Sequence, residues 1–193
     1  MGLDGVELIM HFEKEFKVAI PDPDASQMGT VGDIIQWLYH HIPIHQPDKL
    51  LYNDLANQLE TGLQKLGITE QIAPQQKLTS FIPEENIDET WKLLTQYVDL
   101  KLPRLDYREV PNTNKSRFSL FKYKFIHTLP NLTFQQLVAC VGALEYQKFV
   151  DFNYVTSLFE VMIAVMGIIE ELIGVEVQTI QWNATLVNDL GID

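Results

Sequence analysis

Residues 2–22 read GLDGVELIMHFEKEFKVAIPD, and the fold turns on how this stretch is read. From Asp4 to Phe16 the spacing predicts an amphipathic helix. Val6, Ile9, Met10, Phe12 and Phe16 form one broad apolar stripe, with Glu7, Glu13, Lys14 and Glu15 outside it. Val18 and Ile20 carry the chain on as a two-step hydrophobic pair, and Pro21 forbids further helix.

Working outward, a loop with Asp22, Pro23, Asp24 and Gly29 leads to Thr30-Val-Gly-Asp33, a capping-box variant that opens a helix through about Tyr39. Between Asp48 and Leu66, leucines recur at three- and four-residue steps, and Gly67 is a natural stop. Glu84 to Val98 reads as helix, with Ile87, Trp91, Leu94 and Val98 on one face. Residues 104–131 are the least regular part. Their stretch Ser116–His127 alternates basic and aromatic residues and fits a short hairpin strand or an ordered loop. Thr133 to Gln136 is a capping box for a helix through about Gly142. Ser157 to Glu160 reads as another, for a helix to Ile173 stopped by Gly174. Thr185 to Asp193 is loop-like.

The chain echoes itself. GLDGVELIMHFEKEFKVAIPD at 2–22 matches ENIDETWKLLTQYVDLKLPRLD at 85–106: a helix, a hydrophobic pair, then a proline. TVGDIIQWL at 30–38 matches LTFQQLVACV at 132–141. The segment from 55 to 83 matches the one from 159 to 193.

With these residues in place, the chain resembles the acyl carrier proteins. Residues 2–40 resemble the second half of such a protein through Leu3-Asp4-Gly5-Val6-Glu7-Leu8, Phe12-Glu13-Lys14-Glu15-Phe16, Ile20-Pro21-Asp22 and Thr30-Val31-Gly32-Asp33. Residues 157–193 resemble the first half, ending in the approach loop Ala184 to Asp193. The two halves therefore stand in reversed order. Residues 48–142 resemble a complete but more divergent copy.

The resemblance implies an all-α fold of two acyl-carrier-like four-helix modules. Residues 1–45 plus 155–193 would form a discontinuous module. Residues 46–150 would form a continuous one with a basic insertion at about 104–131. The terminal segments either complement each other within one chain or swap between copies. The intrachain version is expected, because the local partner has the higher effective concentration.

In the family a serine between an aspartate and a Leu or Met, at the start of an exposed helix, accepts the phosphopantetheine arm. The resemblance places Gly5 and Asn86 at this position, and neither has a hydroxyl. Ser26, Ser80, Ser116, Ser119 and Ser157 lie elsewhere in the pattern. The implied protein is a non-catalytic carrier-like scaffold with no cofactor. Asp4, Glu7, Glu13 and Glu15 are its candidate contacts to a basic protein surface. Two alternatives stay open: a non-covalent binder of a lipid or acyl chain, lined by the Met- and Ile-rich helix at 158–169, and a working carrier with its serine elsewhere.

Bulk properties fit that picture. The chain has 193 residues, 46% hydrophobic and 21% charged, usual for a globular chain. Its net charge of −12 argues against general nucleic-acid binding, which needs Lys and Arg for phosphates. The exception is residues 101–130, where seven basic residues face two acids. No apolar run approaches the roughly 18 residues of a membrane span. The lone Cys140 excludes an internal disulfide. A soluble, cytoplasmic protein is the expectation. His41 and His45 have helical metal-ligand spacing, but Pro43 breaks the helix between them and no third ligand is evident, so no metal site is expected. Trp37, Trp91 and Trp182 are read as core or partly buried aromatics.

Overall fold

The apolar run Leu158–Ile173 forms a helix whose residues Val161, Ile163, Ala164, Val165, Met166, Ile168 and Ile169 are all buried. A helix apolar on nearly every side must be surrounded by protein, and this one is the axis of the fold. The computed structural model describes residues 3–46, 50–111 and 123–192. In chain order its helices are α1 (Leu3–Phe16), α2 (Asp22–Ala25), α3 (Val31–His41), α4 (Leu51–Lys65), α5 (Ile87–Val98), α6 (Phe134–Leu144), α7 (Tyr146–Phe149) and α8 (Leu158–Ile173). Helix α8 packs against α1, α3, α4, α6 and α7, while α4 packs against α5 and α6. The buried side chains form one continuous cluster running from Leu8 to Ile192.

The chain is mostly helical, but it is not all-α. Strands β1 (Asp106–Pro111) and β2 (Tyr123–Thr128) form an antiparallel hairpin, with Asp106 opposite Thr128 and Pro111 opposite Tyr123. The hairpin lies within the basic segment 104–131. Its second strand takes the end of the alternating stretch 116–127. The rest of that stretch, up to residue 122, lies outside the described residues. Short helices α2 and α7 carry too few residues to show a period in sequence. Helices α3 and α6 each run two residues past the expected ends at Tyr39 and Gly142, to His41 and Leu144.

The start signals hold at all three sites, and the full capping box forms at two of them. Thr30 Oγ1 accepts from the Asp33 N–H (3.2 Å), while Asp33 Oδ2 accepts from the Thr30 N–H (2.8 Å). Thr133 and Gln136 make the same reciprocal pair at α6. At α8 the box is half formed. Ser157 Oγ accepts from the Glu160 N–H (3.3 Å), but the Glu160 carboxylate reaches one residue further back and accepts from the Thr156 N–H (2.8 Å) and hydroxyl (2.5 Å). Those bonds let a carboxylate only 7% exposed sit at a helix N-terminus.

One hydrogen-bond pattern occurs twice. Around an antiparallel bridge between Thr30 and Thr185, the Val31 N–H donates to the Ala184 carbonyl (3.0 Å). The Gly32 N–H donates to Trp182 (2.8 Å), and the Leu186 N–H to Gly29 (3.1 Å). Around a bridge between Thr133 and Lys77, the Phe134 N–H donates to Gln76 (2.8 Å). There the Gln135 N–H donates to Pro74 (2.9 Å), and the Leu78 N–H to Leu132 (3.0 Å). The N-termini of α3 and α6 are thus held by loops with one geometry. The loop on α3 comes from the far end of the same chain. A second feature repeats: α1 and α5 each end on a left-handed residue, Lys17 (φ 53°) and Asp99 (φ 52°), before the hydrophobic pair and the proline.

Candidate docking face and apolar cavity

Helix α1 buries Gly5, Leu8, Phe12 and Phe16, with Ile9 half-buried. This corrects the expected stripe. Val6 is 45% exposed and Met10 61% exposed. Half of the helix is apolar, so two faces satisfy the 3.6-residue period, and packing on α8 decides between them. Residues 6 and 10 lie one turn apart on the outward face, with exposed Glu7 one turn before Met10 and exposed Lys14 one turn after it. Val6 and Met10 were missed as surface residues. Their type signals core, and only the tertiary partner of α1 reveals otherwise.

The four acidic candidates divide. Asp4 and Glu7 are both exposed, Glu7 on this face and Asp4 at its edge, in the first turn. Glu13 is half-buried, and its Oε1 accepts from the Ile20 N–H at 2.7 Å, fastening the chain after α1. Glu15 lies 3.2 Å from Lys14 Nζ and 3.8 Å from His11 Nε2. The latter two acids therefore work within the structure.

Beneath α1 lies an apolar cavity of about 300 Å³, walled by Gly5, Ile9, Ala25 and Met28 and, from the C-terminal segment, Leu186 and Ile192. Exposed Val187 stands at its edge. Gly5 is buried in this wall, so a side chain there would face the cavity and not solvent. Asn86 is exposed, at the N-cap of α5 with φ 57°. The left-handed ends Lys17 and Asp99 set a register of 82 residues between the two helices. In that register Gly5 stands opposite buried Ile87, and Asp4 opposite Asn86.

The remaining candidates are spread apart. His41 stacks on Trp37 (3.9 Å between centroids) and His45 on Tyr154 (4.3 Å). Among the described residues no group of three His, Cys, Asp or Glu is placed to hold a metal ion. Cys140 is fully buried, and burial pushes its thiol up to about 12, so it is a neutral apolar side chain. Trp37 Nε1 donates to Asp24 (3.0 Å) and Trp91 Nε1 to the Pro103 carbonyl (2.9 Å). Among the described residues no helix is long and apolar enough to cross a membrane.

Two curated proteins named acyl carrier protein, from two strains of Porphyromonas gingivalis, each match this chain at 56% identity over 37 residues. The match covers 19% of this chain and 47% of each relative, so the chain spans about half the length of the curated relatives it matches. No protein-family profile matches the chain, and no solved structure does. Acyl-carrier-like sequence similarity and a mostly helical fold therefore stand together.

Proposed function

We propose that the chain is a non-catalytic, carrier-like interaction scaffold of two units, 1–45 with 155–193 and 46–150, that docks a basic protein surface through the outward face of α1. The observation that carries this reading is the exposure of Val6 and Met10 beside Glu7, with Asp4 exposed at the edge of the same face. An exposed apolar pair with acids toward the N-terminal end of the helix suits a partner with a shallow apolar patch and Lys or Arg at one side of it. The 37-residue match supports a carrier-like role. The duplicated hydrogen-bond pattern at α3 and α6 supports two units, and its first copy joins the two ends of one chain. A swapped homo-oligomer would use the same bonds between copies.

The lack of an arm rests on the residues present. Gly5 is buried and Asn86 has no hydroxyl, and the residue before Leu3 is Gly2, which has none either. Ser26 and Ser80 donate their hydroxyls to the carbonyls of Pro23 and Lys77, and Ser157 caps α8, while Ser116 and Ser119 lie outside the described residues.

Co-expression with a broad-specificity phosphopantetheinyl transferase and coenzyme A tests both halves of the proposal. The transferase should co-purify with the wild type and be lost with Glu7→Lys or Met10→Glu, while the intact mass stays unchanged. A gain of one phosphopantetheine would make the chain a working carrier. A second reading, non-covalent binding of an acyl chain, draws on the cavity beneath α1, whose walls are almost wholly apolar.

A further inference from the structure

A larger cavity, about 440 Å³ and lined by none of the residues of the first, opens between α4, α6, α8 and the loop after the Val177–Thr179 turn. Ala139, Met166 and Ile180 form its buried floor. Tyr52, Phe159 and Met162 form its half-buried sides, and Tyr52 meets Phe159 edge-on at 5.3 Å. Gln135, Gln136, Gln181 and Trp182 surround the mouth.

The geometry points to a second ligand site here, one that takes a neutral amphipathic small molecule: an aliphatic or aromatic body on the methionine floor and an uncharged hydrogen-bonding head among the glutamines. This inference stands apart from the docking face of α1 and does not need the carrier-like reading.

Three features argue for it. First, the mouth is fixed in place. Gln136 Oε1 is held by the Thr133 N–H (2.8 Å), its Nε2 donates to Gln181 Oε1 (2.6 Å), and Gln181 Nε2 donates to the Gln178 carbonyl (2.6 Å). The amides are ordered by a helix cap and do not close over the opening. Second, the volume falls in the range of small-molecule sites, and two methionines give the wall an adaptable surface. Third, none of the ten lining residues carries a charge. A carboxylate or ammonium entering the cavity would lose water without gaining an ion partner. Tyr52 adds to this: burial first, then the charge of Glu60, raises its pKa, so its hydroxyl stays a neutral donor. The expected lining of a cavity by the 158–169 helix is met here, by Phe159, Met162 and Met166, and not beneath α1.

The test titrates the full chain with N-phenyl-1-naphthylamine, a neutral fluorescent probe, and with its anionic relative anilinonaphthalene sulfonate. The neutral probe should bind saturably at one site and at least about tenfold more tightly than the anion. Ala139→Met, which fills the floor, should weaken it by at least about tenfold. Ala25→Leu, in the cavity beneath α1, should leave it unchanged. If Ala139→Met loses its native circular dichroism, Met162→Trp at the half-exposed side decides by the same criterion. Absence of saturable binding, equal affinity for the anion, or loss with Ala25→Leu but not with the floor variant would each overturn the proposal.

Discussion

Trp182 lies against Gly32 so closely that a Cβ on that glycine would stand 2.5 Å from the indole Nε1. The same pair is bonded through the backbone, Gly32 N–H to the Trp182 carbonyl. A residue near the C-terminal end of the described chain is thus packed onto the first turn of α3, and glycine leaves the room. Gly32→Ala should cost about 1–3 kcal/mol by overpacking. Gly29→Ala is the control, because its Cβ would meet only Asp33 Oδ2, at an ordinary 3.8 Å. Urea denaturation of both variants checks this, and limited proteolysis should cut the 174–184 segment faster only in Gly32→Ala. Equal midpoints would mean that the indole swings aside freely.

The orientation of α1 is tested by two truncations. Phe12 is fully buried, so Phe12→Ala should cost about 3–5 kcal/mol. Met10→Ala should stay within about 0.5 kcal/mol, as surface changes do. Comparable losses at both sites would show that Met10 packs against the core after all, and the docking face would lose its apolar pair.

That contrast marks how far the sequence could be read. The start of α3 at Thr30, that of α6 at Thr133 and the stop of α8 at Gly174 are local chemistry, and each was legible in a few adjacent residues. The rotation of α1 was not, because Val6, Leu8, Ile9 and Met10 are interchangeable until α8 selects a face. The strand Asp106–Pro111 was hidden for a related reason: its partner lies a dozen residues away, and pairing across that distance leaves little local trace. The repeat was visible as an echo of segments. Its register was legible too, since Val18, Ile20 and Pro21 stand 82 residues before Leu100, Leu102 and Pro103, and the left-handed Lys17 and Asp99 repeat that offset in the backbone.

Asp189 ties the approach loop together. Its Oδ2 accepts from the Thr185 N–H and hydroxyl, both at 2.8 Å, and these bonds hold its pKa below the usual carboxylate value. A depressed folded-state pKa contributes stability above the unfolded value of about 3.9, and the contribution fades as pH falls through that range toward the folded value. Asp189→Asn should therefore flatten the stability profile on the acid side and change it little with pH near neutrality. Chemical denaturation from pH 7 down to pH 3 measures the slope. Parallel profiles for the two proteins would remove Asp189 as a source of acid sensitivity.

The two capping boxes bear on whether the proposed units unfold together. Thr30→Ala and Thr133→Ala each remove a hydroxyl that caps a helix and should each cost about 1 kcal/mol. The bridges at these residues belong to different units in the proposal, yet α8 packs on both α3 and α6, and the buried cluster is continuous across them. A shared core couples its parts, so both variants should lower the midpoint of one cooperative transition, and the double variant should show nearly the sum. Helical circular dichroism and tryptophan fluorescence should follow the same curve, since Trp37 lies on α3 and Trp91 on α5. Two transitions, with each variant moving only one of them, would show instead that the units are independent and that α8 stays with only one after the other has melted.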